Sequence, residues 1–110
     1  MKITVEVTQD CIDYTRNFAS VWRPRHNPIT TALDCICDRR WEIDGQCMLR
    51  NLDCQECPAV FIQADYMHRA HAIVERAHTS PQFSRPFSFE LEIPDCPSCG
   101  EIELFEEAKA

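Results

Sequence analysis

Cys54-Gln55-Glu56-Cys57-Pro58 and Cys96-Pro97-Ser98-Cys99-Gly100 decide how this chain is read. Each stretch is a Cys-x-x-Cys turn of the metal-knuckle kind. Such a turn brings two thiolates to one side and aims its inner amides at the sulfurs. Pro97 fixes one backbone angle of the second turn, and Gly100 permits a left-handed conformation just after it. Two such turns facing each other supply the four soft ligands of a tetrahedral structural zinc site. The expected metal set is therefore Cys54, Cys57, Cys96 and Cys99, with Zn²⁺ as a structural cofactor. Four thiolates fill the coordination shell, so no position is left for a catalytic water. The 38 residues between Cys57 and Cys96 are long for a simple ribbon. They must hold a strand–helix–strand unit as an insertion, which the metal would clamp at both ends. A redox reading would need a helix opening at one of the pairs, and none is apparent.

Outward from the knuckles, alternation and capping signals give an α+β chain: a small, mostly antiparallel sheet with about three helices. Ile3, Val5 and Val7 alternate with polar residues and predict a strand. Thr8 caps a helix running to about Phe18. Asn27-Pro28 opens a second helix through Cys37, with Ile29, Ala32, Leu33 and Ile36 on its inner face. Trp41 to Arg50 reads as a hairpin with Asp44-Gly45 as a two-residue turn. Ala59–Ile62 is a short strand. Asp65 to His78 is the clearest helix, with Met67, Ala70, Val74 and Ala77 at helical spacing. Phe87 to Ile93 alternates as a strand, and Ile102–Phe105 is a candidate strand completing a ribbon around the metal.

The length of 110 residues fits one domain, with an acidic tail from about residue 101 to 110. The net charge is −7. The first fifty residues are balanced; the excess lies in the second half, chiefly Glu90, Glu92, Asp95, Glu101, Glu103, Glu106 and Glu107. That balance disfavours general duplex binding, which works by neutralising phosphates with Lys and Arg. No apolar stretch approaches the length needed to span a bilayer. The N-terminus reads as an alternating strand and not as a secretion signal. Reduced thiols and a cytoplasmic location are therefore expected for the eight cysteines.

Three further groups carry possible chemistry. Cys11, Cys35, Cys37 and Cys47, perhaps with His26, are a conceivable second metal set, but their spacing favours small buried hydrophobes. His71, Glu75 and His78 share a helix face, with His68 one turn earlier. They form a weak second metal candidate that lacks metalloprotease spacing, and a solvated face is the plainer reading. Arg16, Trp22, Arg23, Arg25, Arg39 and Arg40, with Arg50 and Trp41, form a possible interaction patch for a protein or a single strand. Nucleotide loops and nucleophile elbows are absent from the sequence.

Val5-x-Val7-Thr8-Gln9-Asp10-x-Ile12, Asn27-Pro28-Ile29-x-x-Ala32-Leu33 and Arg85-Pro86-Phe87-Ser88-Phe89-Glu90-Leu91 together resemble a set of small phage-encoded proteins of uncharacterised activity. These often carry Cys-Pro where this chain has Asn27-Pro28. The resemblance spans the two ends of the domain. It implies a phage or mobile-element origin and no activity. The leading expectation is a non-enzymatic, zinc-stabilised protein acting by contact with an unidentified protein partner, as a phage accessory or anti-defence factor. The alternatives are a zinc-ribbon-like nucleic-acid-binding accessory, or a metal-dependent enzyme using the helix histidines.

Overall fold

The computed structural model describes residues 1–18, 21–44, 47–75, 85–100 and 102–105. The element order is β1 (Lys2–Val7), α1 (Gln9–Phe18), α2 (Pro28–Asp34), β2 (Trp41–Ile43), β3 (Met48–Asn51), β4 (Val60–Phe61), α3 (Ala64–Glu75) and β5 (Phe87–Glu92). Among the described residues this is α+β, with three helices and two antiparallel sheets.

The first sheet joins opposite ends of the chain. β1 and β5 pair with Ile3 opposite Leu91, Val5 opposite Phe89 and Val7 opposite Phe87. Alternation puts Ile3, Val5, Val7, Phe89 and Leu91 on the buried face, while Lys2, Thr4, Glu6, Ser88, Glu90 and Glu92 face solvent. The second sheet runs β2-β3-β4. Its inward residues include Trp41, Ile43, Leu49 and Val60. One apolar cluster joins both sheets to the helices, with Ile12, Ile29 and Leu33 fully enclosed. Each such aliphatic side chain contributes about 1.5–3 kcal/mol by leaving water. α2 packs against β1 and β2, so it bridges the two sheets.

The helix starts follow from their caps. Thr8 Oγ1 accepts the Cys11 amide at 3.3 Å. Asn27 Oδ1 accepts the Ile29 and Thr30 amides, and Thr30 Oγ1 accepts the Asn27 amide in return. α2 ends at Asp34, three residues short of the expected Cys37. Its last amides bend into tighter bonds, Cys35 to Ala32 and Ile36 to Leu33. Ile36 is consequently only half-buried.

Asp34 closes α2 where the helix dipole disfavours a negative charge. Partial burial raises its carboxyl above the ordinary value, against the lowering pull of Arg25 and His26. A raised acid favours the protonated form in the folded state. Its ionisation therefore costs stability as pH rises above the ordinary value of 3.8. Asp34→Asn is expected to be more stable than the parent at neutral pH by a few tenths of a kcal/mol. That advantage should vanish at acidic pH, where both side chains are neutral; paired urea denaturations at the two pH values check it.

Two expectations are corrected. Ile43 pairs with Leu49 and the Asp44 amide donates to the Met48 carbonyl at 3.4 Å, a register that a two-residue Asp44-Gly45 turn does not give. The Asp44 carboxylate takes the Cys47 and Met48 amides and so draws the strand ends together. Gly45 and Gln46 lie outside the described residues. Ile102–Phe105 does not complete a ribbon around the Cys54, Cys57, Cys96 and Cys99 turns. Leu104 makes one bridge to Cys37, the Phe105 amide donates to Ile36, and Ile102 enters the core. Of the expected tail from residue 101 to 110, only residues 102–105 are described, with Ile102 buried and Glu103 and Phe105 exposed.

Candidate metal centre

The first knuckle leaves β3 and returns into β4; the second follows β5 directly. β4 and β5 belong to different sheets, so the two turns meet where the sheets converge. The four Sγ atoms of Cys54, Cys57, Cys96 and Cys99 lie within 4.8 Å of one another. Cys54 Sγ is 3.7 Å from Cys96 Sγ, and Cys57 Sγ is 3.2 Å from Cys99 Sγ. A tetrahedral metal with bonds of about 2.3 Å to sulfur needs sulfurs about 3.8 Å apart. The donor set therefore fits one tetrahedral ion, and thiolate-only ligation of this kind suits zinc or iron.

Each turn is built to hold its sulfurs. In the first, the Cys57 amide reaches the Cys54 carbonyl at 3.4 Å. In the second, the Gly100 amide closes on the Cys96 carbonyl at 2.9 Å, with Gly100 at φ 73°. Open space surrounds the position a Cβ would take, so only the backbone resists a side chain there. Gly100→Ala is expected to cost about 1–2 kcal/mol, read as a lower unfolding midpoint with metal content unchanged.

Neighbouring groups orient the ligands. The Cys99 and Ser98 amides donate to Cys96 Sγ and pull its thiol down to about 7. Cys57 is pushed far up by burial and then by the three other sulfurs. Cys99 is lowered by its bond with Cys57, but burial, Cys96 and Cys54 outweigh this and leave it raised. Clustered thiols resist joint ionisation because the negative charges would crowd together. A divalent cation at their centre supplies the opposing charge. Asn51 Nδ2 donates toward Cys57 Sγ at 3.6 Å, and Arg39 Nη2 donates to the Cys99 carbonyl at 3.1 Å. The Ser98 hydroxyl donates to the Glu56 carboxylate, tying one knuckle to the other. Just before the first knuckle, the Arg40 amide and then its guanidinium hold the Asp53 carboxyl below its usual value.

Sequence reading missed Asn51, which is buried, and placed Arg39 in a surface patch. The available signal was a polar residue ending an apolar strand three positions before Cys54.

The other candidates largely separate, although the Cys11 and Cys35 thiols adjoin. Cys11 and Cys37 are buried, but Cys35 is exposed and Cys47 half-buried, so the expectation of small buried hydrophobes holds for two of the four. Cys37 Sγ accepts the Trp41 indole N–H at 3.3 Å, and burial raises its thiol. Among the described residues no second ligand cluster forms. His71 stacks on Trp22 with ring centroids 4.0 Å apart and lies 3.5 Å from Glu75. His78 lies outside the described residues. The expected arginine patch splits. Arg16 Nε donates to the Ile73 carbonyl, and Trp22 donates to the Ile43 carbonyl. Arg25, Arg39 and Arg40 border a separate cleft of about 420 Å³ with Asp34 and Asp38. Arg23 is exposed. No helix among the described residues is long and apolar enough to cross a membrane.

No family model, curated protein or solved structure matches this chain. The geometry of the four sulfurs is thus the firmest basis for a functional reading.

Proposed function

We propose that this chain is a non-enzymatic protein whose structural zinc ion, held by Cys54, Cys57, Cys96 and Cys99, ties two small sheets together so that the surface can engage a protein partner. One observation carries the reading: four thiols from two remote turns converge within 4.8 Å and can occupy every position of a tetrahedral ion. A closed shell of that kind stabilises and does not activate water. The histidine-based enzyme reading is the weaker one: His71 stacks on Trp22, and no histidine-containing ligand cluster forms among the described residues. The nucleic-acid reading loses support as well. Arg16 and Arg39 donate to backbone carbonyls, Arg25, Arg39 and Arg40 share their cleft with Asp34 and Asp38, and the chain carries a net charge of −7. The resemblance of both ends to small phage-encoded proteins supports a role as an accessory or anti-defence factor in a bacterial cytoplasm, where zinc thiolates persist unoxidised.

Elemental analysis and capture experiments test this together. The purified chain is expected to hold zinc in equal amount, to lose it in Cys96→Ser/Cys99→Ser, and to keep it in His71→Ala. Immobilised zinc-loaded protein is expected to retain a host protein that survives nuclease treatment. Salt-sensitive retention of a single-stranded oligonucleotide in its place would replace this reading by the nucleic-acid one. Visible absorption from iron–thiolate bonds would replace zinc by iron.

A further inference from the structure

β4 and β5 approach each other without pairing. Among the described residues each is an edge of its own sheet. A cleft of about 440 Å³ separates them, with Val60 and Phe61 on one wall, Glu90, Leu91 and Glu92 on the other, and Tyr66 of α3 also lining it.

The hydrogen-bonding direction of both walls follows from the pairing on their far sides. The Ile62 amide donates to the Cys47 carbonyl at 2.8 Å. Backbone groups alternate in direction along a strand, so the N–H and C=O of Phe61 point away from β3. On the other wall, Met1 and Ile93 exchange both of their bonds, each at 2.8 Å. The same alternation turns the N–H and C=O of Glu90 and Glu92 away from β1, on the unpaired side of β5. Among the described residues, the outward strand groups of Phe61 on one side and of Glu90 and Glu92 on the other therefore border one cleft without a backbone partner. An extended backbone is suited to meet both sides at once.

We infer that this cleft receives an extended, basic segment of a protein partner, which pairs with β4 on one side and β5 on the other. The guest would complete a continuous sheet in the order β2-β3-β4-guest-β5-β1. The charge of the guest follows from the outer face. Glu90 and Glu92 project there beside the cleft, and their present partners are weak: Lys2 at 3.8 Å and the N-terminal ammonium at 3.3 Å, all at exposed positions. Lysine or arginine on the outward side of the guest would sit across from these carboxylates. Phe61, 60% exposed, offers an apolar contact on the same side. The zinc knuckles flank this cleft in sequence, one before β4 and one after β5. The metal would thus hold the two edges at a fixed spacing. The inference rests on the protein-contact reading above and specifies its surface and partner chemistry.

The test uses the full zinc-loaded chain and a short synthetic peptide alternating lysine with valine, capped at both ends. Adding it is expected to slow hydrogen exchange at the Phe61, Glu90 and Glu92 amides by about tenfold or more. Phe61→Pro removes an outward N–H without touching a ladder bond, and Glu90→Lys/Glu92→Lys reverses the charge on exposed positions. Each is expected to weaken binding by about tenfold or more. A peptide methylated at alternate amides, which leaves the protein unaltered, should not bind. Absence of peptide binding, binding without protection of those three amides, or equal binding by both variants would overturn the inference. So would a concentration-dependent dimer that protects the same amides, because the occupant is then a second copy. A host protein captured equally well by Phe61→Pro and Glu90→Lys/Glu92→Lys would sink the cleft and leave the protein-contact reading standing. Peptide protection without any captured host protein would do the reverse.

Discussion

Stripping the metal, or replacing Cys96 and Cys99 together by serine, is expected to lower the stability of the chain by about 4 kcal/mol. The figure comes from loop closure. An ion shared by Cys57 and Cys96 would tie off the 38 residues between them. Cross-linking a loop of that length removes unfolded-state entropy worth about 4 kcal/mol at room temperature. A domain of this size is stable by only about 5–15 kcal/mol in total, so the metal-free form is left marginal. The midpoint of thermal unfolding should fall by roughly 15 °C. The loss should also be local in its first signs. β4 and the end of β5 lose their common anchor, whereas β1, α1 and α2 keep a core built on Val5, Ile12 and Leu33. Hydrogen exchange on the apo form is expected to quicken at Val60 and Leu91 before Val5. Calorimetry with and without a chelator gives the size of the effect. An apo form melting at the same temperature as the loaded form would remove the structural role of the site.

Why the site was legible in sequence and the sheet pairing was not has a physical explanation. A knuckle is local. Its two sulfurs, its turn residues and its left-handed glycine lie within five positions, so Cys96–Gly100 declares its geometry by itself. Caps are local too, and Thr8 and Asn27 act where they were expected. The alternation of Ile3, Val5 and Val7 likewise needs only a period of two. Strand partnership is different. Residues 59–93 read as one strand–helix–strand unit, yet β4 pairs with β3 while β5 crosses to β1 at the other end of the chain. Nothing local to Val60 or Phe89 distinguishes those partners. The choice is made by the shared burial of Val5, Phe89 and Leu91 against the helices. The arginines fail for a related reason. Charge and length mark Arg16 and Arg39 as surface anchors, but their long side chains reach back to the Ile73 and Cys99 carbonyls.

Asn27→Ala is expected to be the most damaging single substitution away from the metal, at about 3 kcal/mol or more. Asn27 is fully buried. Its amide group has four hydrogen-bonding positions, and all four are used. Oδ1 accepts the Ile29 amide at 3.1 Å and the Thr30 amide at 3.0 Å. Nδ2 donates to the Arg23 carbonyl at 3.0 Å and the Pro24 carbonyl at 3.1 Å. Alanine therefore removes a helix cap, worth about 1 kcal/mol, and strands the Ile29 and Thr30 amides away from water, while the Arg23 and Pro24 carbonyls keep the His26 and Ile43 amides. Each stranded group costs about 1–3 kcal/mol where solvent cannot reach it, and local relaxation recovers part of the sum. The damage should spread through Pro24, whose carbonyl also takes the Ile43 amide at 2.9 Å and so pins the loop before α2 to β2. Aspartate separates the two halves of the role. It keeps both accepted bonds at the helix start and loses both donated ones, setting a carboxylate against two carbonyl oxygens. If the cap alone mattered, Asn27→Asp would match the parent. If the donated pair matters as much, Asn27→Asp should fall between parent and alanine. Urea denaturation of the three proteins, prepared alike, orders them, and equal stability of parent and alanine would show that the buried network contributes nothing.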